Sequence, residues 1–437
     1  MMRGNILLVW DPGVGKTYPV LSAAHFINGP LLVIVPAHLR LQWLAAAKLH
    51  APLLPAVILD KTKEKISTET FDKHRIFICS YEYVSTLPRW KQLRVRQWGA
   101  LAIDEAHYLN NLDANRTRAI LGLKPEEKQG MVFAADYVWY LSGTPFTFPN
   151  QIYPILAASF PEAIRRAEEE GPGRMTAREW ENRFCVVADT GDGFGVKVTG
   201  AKNIPELRGR LQPFLDKQKL ELGHVTLTID TIPMQGTLRG LTKGLDEETL
   251  QIYEALTEIL SDDTVPDEEK MAVLEGNGLV MAQLRNVIAA TKVMQTVEIV
   301  RGELLSGLKK VLVFGWHRAP LEALSKQLKA PLIYGGISDK QKELAKLQFI
   351  KGDAPVLIGQ IAAIGSGTDG LQEVCHRSLF MEAPWTHREN KQCLHRTYRT
   401  GQKYPCHSSY IILLGSIDEY VAKVLKRNAE IIRKTLD

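Results

Sequence analysis

The chain has 437 residues, 45% of them hydrophobic and 24% charged, with a formal net charge of +5. That length suits two or three domains of roughly 150 residues each, and the composition is that of globular material able to bury real cores. No apolar run nears the roughly 18 residues that span a bilayer, the N-terminus lacks a signal-peptide layout, and five scattered cysteines (Cys79, Cys185, Cys375, Cys393, Cys406) suit a reducing, intracellular compartment better than a disulfide framework.

In chain order, short apolar runs alternate with helical patterns. The runs are ILLVW (6–10), LLVIV (31–35), AVIL (56–59), IFICSY (76–81), LAID (101–104) and VWYLS (138–142). Between them lie segments such as AHLRLQWLAAAKLH, whose apolar spacing is helical. Such alternation predicts a parallel sheet covered by helices. A second set follows late in the chain: VLVFGW (311–316), PLIYG (331–335), VLIGQ (356–360), SLFMEA (378–383) and SSYIILL (408–414). Two α/β units are expected, 1–224 and 225–437, with helical insertions near 155–224 and 240–300. The stretch between them carries one extended run, VTLTIDTIPM (225–234), and an acidic segment, Leu245–Glu275, read as an exposed helical pair.

Charge is unevenly placed. Ten Lys/Arg and five Asp/Glu lie between Trp385 and Asp437, and the rest of the chain balances. This basic segment suits a polyanion or, equally, a solvated helix face.

Three motifs carry chemistry in the first unit. "WDPGVGKT" (10–17) follows a predicted strand and opens a predicted helix, the context of a phosphate-binding loop. Asp11, Pro12, Gly13, Val14 and Gly15 form that loop, in which Gly13 and Gly15 let the backbone wrap a phosphate with its N–H groups. Lys16 meets the β/γ-phosphates and Thr17 offers a hydroxyl to Mg²⁺. Trp10 stands where such loops usually have Gly or Ala. "LAIDEAH" (101–107) sets two adjacent carboxylates at a strand end, costly without a cation. Asp104 would hold Mg²⁺, partly through water, and Glu105 would orient or deprotonate the attacking water. Taken alone, the same letters also fit a helix start. "YLSGTP" (140–145) offers Ser142 and Thr144 as hydroxyls that couple to the acidic pair; alone it is equally an ordinary turn. The pairs Cys375-His376, Cys393/His395 and Cys406-His407 lack zinc-site spacing. The tryptophans are assigned to packing by default.

In this order, these motifs resemble superfamily 2 helicases and translocases. "KKVLVFGWHRAPLEAL" resembles the fourth motif of that superfamily, and "GSGTDGLQ" with "LFMEAPW" resembles the fifth. "QCLHRTYRTGQ" (392–402), with its His-Arg-x-x-Arg-x-Gly-Gln core, resembles the sixth in its Swi/Snf-type form. "LRNVIAATKVMQTVEIV" (284–300) is similar to the annealing-helicase branch. Two features depart from the family. Only nine residues precede Trp10, where the family has an adenine-reading segment, and "FLDKQKLEL" (214–222) replaces a strongly basic run.

The resemblance implies two RecA-like lobes with ATP and Mg²⁺ on the first, at a cleft closed by the second. It implies Arg396 and Arg399 as catalytic contacts to the γ-phosphate, and Gly367, Asp369 and Gln392 as further nucleotide contacts. Thr386 and Glu389 have capping-box spacing, so a helix is expected to run from there towards Gly401, with both arginines in its last turns. The implied activity is a DNA-dependent ATPase that remodels or rewinds double-stranded or forked DNA, acting as a monomer away from membranes. In a prokaryotic or viral source it would be cytoplasmic and nucleoid-associated. A strand-separating DNA or RNA helicase is the alternative enzyme. The alternative from another class is a nucleotide-gated DNA-binding subunit of a nuclease or repair complex.

Overall fold

A computed structural model describes residues 4–59, 66–122, 130–167, 171–189, 196–234, 278–364, 369–414 and 416–436, with a few positions between 247 and 270. The chain divides into two compact units. The first comprises 1–185, 201–220 and 431–437; the second comprises 186–200 and 221–430. Among the described residues, no helix is long and apolar enough to cross a membrane.

The strands, in chain order, are β1 (Ile6–Trp10), β2 (Leu31–Val35), β3 (Ala56–Ile58), β4 (Ile76–Ser80), β5 (Trp98–Asp104), β6 (Ala135–Leu141), β7 (Cys185–Asp189), β8 (Val196–Ala201), β9 (Leu215–Gln218), β10 (Leu227–Met234), β11 (Val311–Gly315), β12 (Leu332–Ile333), β13 (Val356–Gln360), β14 (Arg377–Phe380) and β15 (Cys406–Leu413). The first unit holds a seven-stranded sheet ordered β3-β4-β2-β5-β6-β1-β9, and every pairing in it is parallel. The second holds a six-stranded sheet ordered β10-β15-β14-β11-β13-β12, again wholly parallel. β7 and β8 pair with each other. Two parallel α/β lobes with the phosphate-loop strand one place removed from the acidic strand constitute a RecA-like arrangement.

The continuous apolar runs have a direct cause. A parallel sheet is covered on both faces, so successive side chains alternate between two cores rather than between core and water. Leu7, Val9, Leu32, Ile34, Phe77, Leu101, Ile103 and Tyr140 enter one core of the first unit. Leu8, Leu31, Val33, Val35, Ile78, Ala102, Trp139 and Leu141 enter the other.

Two expectations need correction. "FLDKQKLEL" lies at the end of the stretch near 155–224 expected to be a helical insertion, yet Leu215–Gln218 is an edge strand pairing Leu7 with Leu215 and Trp10 with Gln218. Its polar alternation hid it. The helix that follows the Thr386–Glu389 capping box spans only His387–Leu394. Arg396 and Arg399 lie beyond it, in turns where Arg396 N donates to Cys393 O and Gln402 N to Arg399 O. The Thr397 hydroxyl, fully buried, donates to Leu394 O, which also accepts the Tyr398 N–H at 3.1 Å. Gly367 and most of Leu245–Glu275 lie outside the described residues.

In the second unit a long helix, α1 (Gly278–Leu305), lays buried cations against the strand ends. Lys292 Nζ donates to Met381 O (3.0 Å) and Ile411 O (2.7 Å) and pairs with Asp418. Burial lowers the lysine's pKa, and the Asp418 charge opposes that shift. Glu382 takes the backbone N–H groups of Trp316 and His317 (2.8 and 2.9 Å) and the His317 ring (2.6 Å). That clasp ties the fourth-motif loop to the fifth. Removing one partner of a buried pair strands the other charge. Lys292→Ala should therefore destabilise the second unit by about 3–5 kcal/mol, while Lys292→Met with Asp418→Leu recovers most of the loss. Urea midpoints followed by circular dichroism measure both.

Candidate active site

In the first unit the strand order sets the site. β6 lies between β1 and β5, so the turn after β6 falls between the loop after β1 and the acidic pair after β5. Ser142 N donates to Leu8 O at 3.1 Å. A Cβ on Gly143 would lie 2.9 Å from Pro12 Cδ and 3.0 Å from Trp10 O, so only glycine lets this turn meet the phosphate loop.

The loop itself depends on left-handed glycines at Gly13 (φ +90°) and Gly15 (φ +92°). Val14 N donates to Asp11 O at 3.3 Å, closing the turn, and Thr17 begins the following helix, α2 (Thr17–Ala23). Lys16 Nζ donates to Trp10 O (2.9 Å) and Asp11 O (3.3 Å), which holds the ammonium within the loop.

Asp104 ends β5 with its side chain buried. The Trp43 indole donates to Oδ2 at 2.8 Å, and the Glu105 N–H donates to Oδ1 at 3.0 Å. Tyr81 Oη donates to the carbonyls of Asp104 (2.7 Å) and Glu105 (3.3 Å). Burial, and then the Glu105 charge, lifts the Asp104 carboxyl from 3.8 to about 6, against the Trp43 hydrogen bond and the charge of Lys16. Glu105 sits at φ +52°, ψ +49°, a left-handed backbone that non-glycine residues adopt at some cost. That kink turns its carboxylate to His107, Nδ1 to Oε2 3.2 Å, and the same nitrogen lies 3.4 Å from Ser142 Oγ. Ser142 thus meets the acidic pair through His107. Thr144 places its N–H 3.3 Å from Ser142 Oγ. Sequence reasoning missed Trp43, Tyr81 and His107 as supports. Trp43 lies in a segment read as a helix and Tyr81 at the end of an apolar run, where an indole or phenol reads as packing.

In the second unit Arg399 Nη1 forms an ion pair with Asp369, and Arg396 Nη1 lies 3.7 Å from the same Oδ1. Arg396 is buried; Arg399 and Gln392 are half-buried. The fold thus brings Asp369, Arg396 and Arg399 together, and Gln392 stays on the capped helix, α3 (His387–Leu394).

The residues fit a nucleotide with Mg²⁺. The donor set is one deep carboxylate with a raised pKa, a loop hydroxyl and a loop lysine, and Mg²⁺ typically takes one or two carboxylates together with phosphate oxygens. Its cost to the empty fold is testable. An acid whose pKa is raised on folding costs stability as pH climbs from its unfolded value of about 3.9 to its folded value, with no further loss above that. The stability of the wild type relative to Asp104→Asn should therefore fall by about 1–3 kcal/mol between pH 4 and pH 8, on top of a constant offset because the Asn amide nitrogen must face one of the two donors. Urea titrations at the two pH values check the sign.

Residues 1–162 match the family described as SNF2-related domain. The chain is 22% identical to the DNA annealing helicase and endonuclease ZRANB3 of Homo sapiens, over 100% of this chain and 39% of that protein. It is 24% identical to the SWI/SNF-related matrix-associated actin-dependent regulator of chromatin subfamily A-like protein 1 of Bos taurus, over 98% of this chain and 43% of that protein. The chain thus spans about two fifths of the length of these curated relatives. Among solved structures, the Sulfolobus solfataricus SWI2/SNF2 ATPase core in complex with dsDNA aligns with a TM-score of 0.42 and 17% identity, covering 100% of this chain and 93% of that one. Residues 1–162 are thus similar to an SNF2-related domain, and the chain as a whole is similar to part of the annealing helicases.

Proposed function

We propose that the chain is a DNA-dependent ATP hydrolase, a motor that converts nucleotide turnover into movement along double-stranded or forked DNA. One observation carries the reading. The loop lysine, the buried Asp104 and the kinked Glu105 converge at the β1-β6-β5 edge of one sheet, linked by His107 to Ser142. This arrangement suits phosphoryl transfer to water, where positioning and charge stabilisation carry most of the catalysis.

Each residue then has a task. Gly13–Thr17 present backbone N–H groups to the phosphates, and Lys16 leaves the carbonyls of Trp10 and Asp11 for the β/γ-phosphates. The Thr17 hydroxyl and, through water, Asp104 would hold Mg²⁺, which supplies charge neutralisation when bound. Glu105 orients the attacking water and takes its proton. Ser142, with Thr144, reports the state of that carboxylate through His107. In the second unit, Arg396 and Arg399 exchange Asp369 for the γ-phosphate and stabilise the charge of the transition state. Asp369, Gln392 and Gly367 complete the nucleotide contacts of that unit. The basic segment after Trp385 and the similarity to a DNA annealing helicase favour DNA as the track. Remodelling or rewinding, rather than strand separation, is the reading favoured by the annealing-helicase relatives.

Hydrolysis is to be measured with no nucleic acid, then with duplex, single-stranded and forked DNA and with RNA. Duplex or forked DNA should stimulate most, with stimulation weakening steeply as salt rises. Stimulation by RNA alone overturns the DNA reading. Arg399→Ala should slow turnover by about 10³-fold while nucleotide binding stays within a few-fold; an equal loss of both would refute the finger role.

A further inference from the structure

The phosphate loop is tied to the strand that leads out of the first unit. β9 pairs with β1 in register up to Trp10 and Gln218. Beyond the ladder three hydrogen bonds continue the tie. The Trp10 indole donates to Asp216 Oδ2 at 3.0 Å, Asp11 N donates to Gln218 O at 2.9 Å, and Leu220 N donates to Asp11 Oδ2 at 3.0 Å. Leu220 is the last residue of this stretch in the first unit, and Glu221 resumes the second. The same strand also receives the C-terminal helix, α4 (Ile417–Leu436): Lys217 Nζ donates to Leu436 O at 3.1 Å.

This clasp accounts for the tryptophan at the head of the loop. Gly or Ala there offers no side-chain donor, whereas Trp10 gives both an indole N–H to Asp216 and a carbonyl to Lys16. Asp11 is likewise shared, its carbonyl facing Lys16 and its carboxylate facing Leu220 N. Lys16 thus bonds to both loop residues of the clasp.

We infer that Asp216 and Trp10 are positioning residues: with Asp11 they form a strap that holds the phosphate loop for nucleotide and transmits its occupancy to residues 218–221, where the chain passes to the second unit. The inference rests on the proposed nucleotide site and names a coupling element within it.

The test uses the full chain with ADP and Mg²⁺. Amide hydrogen exchange across 215–222 is followed with and without nucleotide, and ADP affinity is measured for the wild type, Asp216→Ala, Asp216→Asn, Trp10→Phe and Trp10→Phe/Asp216→Ala. In the wild type ADP should slow exchange at Gln218–Leu220 by about tenfold. Asp216→Ala and Trp10→Phe should each weaken ADP on the order of tenfold, the worth of one charge-assisted hydrogen bond, and the double variant should be no worse than either. Asp216→Asn, which keeps an acceptor for the indole, should restore both affinity and protection. ADP binding with no response at 218–220, or strictly additive losses, overturns the strap and leaves the nucleotide site standing. No ADP binding by the wild type overturns both.

Discussion

The first unit is organised around one expensive group, a carboxylate buried at the tip of a central strand. Asp104 is almost wholly buried where it sits, and among the described residues each of its oxygens takes one donor, Trp43 Nε1 and the Glu105 N–H. Burial, and then the Glu105 charge, raises its pKa. Two donors keep the group oriented without neutralising it. Such a group is most comfortable when a ligand brings positive charge to it, and stability is lost in the free protein to keep that place open.

Strain near the carboxylate belongs to the same design. Glu105 takes a left-handed backbone because the chain must turn sharply off the end of β5 while keeping its carboxylate beside Asp104 and within reach of His107. Tyr81 clamps both carbonyls of that turn, so the kink is set by a rigid neighbour rather than by the loop alone. The strand order brings the remaining parts into register, since one strand placed between β1 and β5 delivers Ser142 to both. Gly143 is the steric condition for that arrangement.

Much of this was legible in the letters. Parallel strands buried on both faces read as unbroken apolar runs, and the glycine loop and acidic pair follow from the chemistry of phosphate. What stayed hidden was whatever does not repeat with a local period. β9 reads as Leu-Asp-Lys-Gln, and only the pairing with β1 makes it a strand. The Trp43 indole was taken for packing because its partner lies 61 residues away. The end of α3 was misplaced because Gly401 looks like a helix stop, while the helix ends at Leu394 and the chain continues in turns, one of them held by Gln402 Nε2 on Thr397 O. A long-range hydrogen bond leaves no periodic trace in sequence.

The second unit sorts its ion pairs by depth, and depth decides which can be exchanged. Lys292 and Asp418 are nearly inaccessible, at 0% and 7% side-chain exposure, and join α1 to the head of the C-terminal helix. A pair at that depth persists because losing either partner costs about 3–5 kcal/mol. Asp369 is 41% exposed and Arg399 23%, so water screens their pairing, and exposed pairs contribute about 0–1 kcal/mol. A phosphate could displace Asp369 from Arg399 without opposing a large energy, whereas nothing comparable could displace Asp418 from Lys292.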